Sequence, residues 1–163
     1  MGASGWEYFV PYQPNIDQAL QELREQVFRS GDYHLRPQMH IDPDDFAGMP
    51  EDVREQLPLW IERENSFVQP TTIDALLEWN GEDGTHSILD IQRVSLSPEF
   101  GAAAPLSADE LTRLFGGGQP DRSMVENKRD DIQLLRARWE ATYLVVYSNG
   151  IADEIYFTGF SGD

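Results

Sequence analysis

Histidine is the side chain best suited to chemistry near neutral pH, as general base, metal ligand or proton-sensitive group, and the sequence has three: His34, His40 and His86. His86 stands in Gly81-Glu82-Asp83-Gly84-Thr85-His86-Ser87, a glycine-flanked loop leading into an apolar stretch. That setting makes His86 the candidate acid–base group and Asp83 its catalytic partner, with Glu82 or Asp90 able to help orient it or a metal. On an extended strand His86 and Asp90 would lie about 13 Å apart at ~3.3 Å per residue, so they are not expected to bond directly. The competing reading is a loop histidine whose hydrogen bonds order the turn. His34 and His40 precede Asp42, Asp44 and Asp45 in a segment broken by Pro37, Pro43 and Gly48, where aspartates beside proline usually mark solvated turns.

Several chemistries are excluded by what the chain lacks. With no cysteine there is no disulfide, zinc thiolate or cysteine nucleophile. Gly116-Gly117-Gly118-Gln119-Pro120 has neither the spacing nor the lysine of a phosphate-binding loop, and neither GxGxxG nor HExxH occurs. Asp163 stands where a nucleophile elbow around Ser161 needs glycine. A calcium loop read from Asp42 fails at Phe46, Ala47 and Val53. No cofactor and no metal are therefore expected.

Charge points elsewhere. There are 29 acidic and 12 basic residues, a formal net charge of −17, and a pI near 4.3. The excess is spread along the chain, net −10 over residues 1–81 and net −7 over residues 82–163. Such a field repels nucleic-acid phosphates and anionic membranes and speeds encounter with cationic partners. The bland reading is that acidity serves solubility, and a single lysine, Lys128, among twelve bases fits a compositional bias.

These observations favour a non-enzymatic, acidic protein-binding domain that docks on a basic partner, as toxin-neutralising immunity proteins and nucleic-acid mimics do. The densest stretch, residues 42–64, sets Asp42, Asp44, Asp45, Glu51, Asp52, Glu55, Glu62 and Glu64 against only Arg54 and Arg63, which makes those eight acids the candidate binding residues. The alternative is a small enzyme or ligand-binding domain with its site around His86. A third possibility is a homodimer joined through the edge of a C-terminal hairpin, although repulsion between two such chains favours a monomer. The first residues lack the basic and apolar parts of a signal peptide, and no run approaches the ~18 apolar residues of a membrane helix, so a cytoplasmic protein without membrane or direct nucleic-acid partners is expected.

The pattern of elements predicts one α+β domain over residues 1–163, with a mostly antiparallel sheet covered on one side by four or five helices. Residues 5–12 alternate, with Trp6, Tyr8 and Val10 facing one way and Glu7 and Phe9 the other. Asn15 caps a helix whose stripe is Ile16, Leu20, Leu23 and Val27, ended by Gly31. Helical faces recur at Val53, Leu57, Trp60 and Ile61, and at Ile73, Leu76 and Leu77 before Asn80-Gly81. Residues 85–96 read as a buried middle strand. Ser107 and Glu110 form a capping box with Leu106 and Leu111 as staple, and Ser123 with Glu126 repeats the spacing for a helix running toward Glu140. Asn149-Gly150 predicts a type I′ turn joining two C-terminal strands.

Overall fold

The computed structural model describes residues 4–39, 48–51 and 57–162. Among them are five strands, β1 (Gly5–Pro11), β2 (Arg93–Val94), β3 (Ala102–Pro105), β4 (Glu140–Ser148) and β5 (Ile151–Phe160), and five helices, α1 (Ile16–Ser30), α2 (Leu57–Asn65), α3 (Ile73–Asn80), α4 (Ala108–Phe115) and α5 (Arg122–Gln133). The strands form one sheet in the order β1-β5-β4-β3-β2. β1 and β4 flank β5 antiparallel, whereas β3 runs parallel to β4 and β2 parallel to β3. The sheet is thus mixed, mostly antiparallel with parallel pairs at one end.

Local chemistry explains most boundaries. The Asn15 side chain accepts from the Gln18 amide at 3.1 Å, and Gly31, left-handed at φ 74°, gives its N–H to Val27 and Phe28. At the hairpin Asn149 and Gly150 both take positive φ, 52° and 78°, as the type I′ turn requires. In β1, Trp6, Tyr8 and Val10 pack into one cluster with Leu20, Leu23, Leu76, Ile155 and Phe157, while Phe9 packs into another with Leu106, Val125, Ile132, Leu144 and Tyr156.

Those two clusters correct the expected layering. Parallel pairing of β3 with β4 demands a crossover, and residues 106–139 make it through α4 and α5 on the sheet face opposite α1 and α3. Helices therefore cover both faces. The hairpin strands are internal, because β5 is paired on both sides and so is β4, which removes the hairpin edge as a dimer interface. The middle strand shrinks to Arg93–Val94, since residues 81–83 and 88–90 curl into 3-10 turns. The cap of α5 is Asp121 rather than Ser123, with its carboxylate 2.8 Å from the Met124 amide, and the helix stops at Gln133 rather than continuing toward Glu140. No helix among the described residues is long and apolar enough to cross a membrane.

The capping box at α4 gains a partner that spacing could not reveal. Glu110 bonds back to the Ser107 amide at 2.7 Å and also receives Arg136, 2.9 Å away, whose side chain is 3% exposed and donates further to the Thr142 hydroxyl. The Arg136 hydrogen bond, aided by the Ser107 amide, holds the Glu110 carboxyl down to about 2 from an ordinary 4.5. A depressed carboxyl adds stability that is complete above the unfolded value and vanishes as pH falls through the folded one. Glu110→Gln is expected to cost about 2 kcal/mol at neutral pH, after allowance for partial exposure. Denaturant midpoints of both proteins should converge as pH drops from about 5 to about 2.

Candidate functional site

The segment between α3 and β2 is held by a network centred on Asn80 and Asp90. The Asn80 amide donates to the carbonyls of His34 at 2.8 Å and Gly84 at 2.6 Å, and its oxygen accepts the Arg36 amide at 3.1 Å. The His34 amide in turn donates to the Thr85 carbonyl at 2.7 Å. This clamp lays the His34 ring on His86, with centroids 4.4 Å apart and planes 11° from parallel. His86 itself takes φ 54°, a left-handed conformation uncommon outside glycine.

Asp90 closes the turn. One carboxylate oxygen accepts the Thr85 amide at 2.8 Å and the other accepts the Ser161 hydroxyl at 2.8 Å, tying the middle segment to the residues after β5. An extended strand from 85 to 90 would forbid the first bond, so the 3-10 turn at Ile88–Asp90 is what brings Asp90 home. Burial pushes the Asp90 carboxyl above its usual range, opposed by hydrogen bonds from Ser161 and Thr85 and by the charge of His86.

Beside this turn opens a cleft of about 560 Å³, lined by Leu77, Gly81, Glu82, Asp90, Gln92, Phe100, Trp139 and Gly162. Trp139 is positioned by backbone bonds on both sides: its amide donates to Phe160 at 3.0 Å and its carbonyl accepts from Gly101 at 2.7 Å. Its φ of 64° is again left-handed. The indole lies against the Gly162 backbone so closely that a Cβ there would fall 1.9 Å from the ring, and its far edge reaches toward Gly84 beside the Asp90 carboxylate. Phe100 stands 5.5 Å from Trp139, tilted by 37°, and is 67% exposed. Two aromatic walls thus meet two carboxylates, Glu82 at the rim and Asp90 at 2% exposure behind it. Among the described residues no lysine, arginine or histidine lines the cleft.

The expected catalytic pair stays outside this cleft. His86 is half-buried against His34, and Asp83 lies exposed on the 3-10 turn. Glu82 and Asp90, offered as helpers of His86, are the members of that segment that line the cavity. Among the candidate binding acids, Glu51 and Glu62 are exposed, whereas Glu64 is fully buried and paired with Arg36. Glu64 is therefore spent inside the fold rather than presented to a partner. Asp42, Asp44, Asp45, Asp52 and Glu55 lie outside the described residues, as does His40. Among the described residues no three His, Asp or Glu are grouped to hold a metal ion.

Periodicity missed Phe100 and Trp139, because Trp139 fits the apolar stripe of the preceding helix and its departure from that helix depends on residues distant in sequence. Comparison with protein-family models, with curated proteins and with solved structures finds no match, so a functional reading of this chain rests on its own charge distribution and on this cleft.

Proposed function

We propose that this chain is a non-enzymatic acidic domain that binds a basic protein partner. The observation that carries the proposal is the net charge of −17 borne by a fold that does not neutralise it internally. Arg24 and Arg136 are buried and the Arg36 side chain is 20% exposed, while Glu64 and Asp90 are the acids withdrawn among the described residues. Among the described residues burial therefore removes cations at least as fast as anions and does not offset the acidic excess. Exposed acids are distributed over α1 (Asp17, Glu22, Glu25), α3 (Asp74, Glu78) and α5 (Glu126, Asp130, Asp131), a geometry that steers a cationic macromolecule from long range.

The second reading, an enzyme or ligand-binding domain around His86, retains its segment but shifts its centre, since Glu82 and Asp90 rather than His86 and Asp83 line the cleft. The docking proposal is tested by isolating the partner at low ionic strength, purifying it and measuring association by stopped flow. The association rate constant is expected to fall at least about tenfold as the screening length shrinks from ~10 Å to ~3 Å. A partner that is neutral or acidic, or an association rate indifferent to salt, overturns the reading.

A further inference from the structure

We propose that the cleft between Trp139 and Phe100 is the seat for an arginine side chain of that basic partner. The inference rests on the docking reading and names what the partner must insert. Its support is the chemistry of the lining: two aromatic faces, two carboxylates, the Gln92 amide and, among the described residues, no basic side chain.

A guanidinium suits such a lining better than an ammonium does. It is planar, stacks on aromatic faces, is weakly hydrated and presents several donors at once. Trp139 and Phe100, 5.5 Å apart and tilted, offer π-faces to a flat cation, while Glu82, the Gln92 side chain and Asp90 supply acceptors. The same protein already makes such contacts internally, with the Arg36 guanidinium 4.5 Å from the Trp79 ring centre and that of Arg122 4.1 Å from Phe9. The cleft volume of about 560 Å³ lies within the range that accepts small groups.

Two features mark the cleft as a built site rather than a surface dent. Asp90 is held at 2% exposure, accepting hydrogen bonds from the neutral Thr85 N–H and Ser161 O–H with the charge of His86 acting on it from nearby, and a carboxylate that bears a desolvation cost is stabilised further by a cation that reaches it. Trp139 is fixed at φ 64° by hydrogen bonds at both its amide and its carbonyl and by contact with Gly162, so the aromatic wall exists before a ligand arrives. A left-handed tryptophan is costly, and here the indole edge and the Asp90 carboxylate both come close to Gly84.

The probes are a short arginine-containing peptide and the same peptide with neutral citrulline in place of arginine, added to the full chain while the indole N–H signals are followed by NMR. The arginine peptide is expected to shift the Trp139 signal selectively and to bind at least about tenfold more tightly than the citrulline peptide. Asp90→Asn keeps an acceptor for Thr85 and a polar group for Ser161, and should weaken binding about tenfold with the fold intact. Phe100→Ala removes an exposed ring, so its thermal midpoint should be unchanged while binding falls several-fold. Equal affinity for the citrulline peptide, which would identify a neutral ligand, overturns the inference, as does wild-type affinity in both variants. If the purified partner binds Phe100→Ala and Asp90→Asn as tightly as wild type with salt-steered association, the cleft assignment fails and the docking reading stands. If the arginine peptide seats at Trp139 but no basic protein binds, the docking reading fails and the cleft keeps its cation specificity.

Discussion

Arg36→Met is expected to destabilise the protein by about 3 kcal/mol, because it leaves the Glu64 carboxylate buried without its cation. Glu64 has no solvent exposure, and its carboxylate receives the Arg36 guanidinium at hydrogen-bond distance. Its other oxygen is 3.4 Å from the Met39 amide, a weak substitute. The guanidinium also covers Trp79, whose indole N–H donates to the Arg36 carbonyl at 2.8 Å, so the side chain links residues 36–39, α2 and α3. Arg36 remains 20% exposed, which places the expected cost at the lower end of the range for breaking buried pairs. Removing both charges separates lost pairing from lost packing. The double variant Arg36→Met with Glu64→Gln should regain about half of the loss, since no bare charge then remains inside. Urea denaturation of the three proteins reads this directly, and a single-variant cost under about 1 kcal/mol would show that the pair is solvated.

Gly159→Ala is expected to cost about 3 kcal/mol or more, through overpacking rather than loss of a contact. Gly159 lies in β5 opposite Trp6 of β1 and Ala141 of β4, so both of its neighbours are fixed by the ladder. A Cβ at this position would stand 2.7 Å from the Glu140 carbonyl oxygen and 2.7 Å from the Trp6 ring. The first obstacle is backbone of a paired strand, and the second is a side chain at 6% exposure inside the core, so neither can retreat cheaply. Gly31→Ala is the contrasting control: space there is open and only the left-handed φ of 74° opposes the new side chain, for an expected cost of about 1 kcal/mol. Thermal unfolding by circular dichroism should rank the two in that order. A Gly159→Ala midpoint equal to wild type would mean that β1 shifts away from β5 to make room.

Sequence patterns located features whose cause lies within a few residues. The Asn15 cap, the Gly31 stop, the Ser107–Glu110 box and the Asn149-Gly150 turn all occur at their expected positions, because each is a hydrogen bond or a dihedral preference spanning two to four residues. The alternation of β1 likewise foretold its two faces. Residues 85–96 misled because an apolar run of β-branched residues reads as strand, while the Asp90 carboxylate that folds it into turns finds half of its partners at Ser161, 71 positions away. The one-sided layering failed for a similar reason: helix periodicity shows that α4 and α5 need cover, but the face that receives them follows from parallel pairing of β3 with β4.

The candidate site divides along the same line. Composition alone establishes the negative field, since the sum of charges does not depend on how the chain folds. The cleft is a tertiary product: Leu77, Asp90, Phe100, Trp139 and Gly162 come from five separate stretches of chain, and Trp139 joins them outside helical register, with backbone bonds to Phe160 and Gly101. Short-range preferences are written in neighbouring residues and can be read there, whereas a pocket is an agreement between distant ones that exists only once the chain has closed on itself.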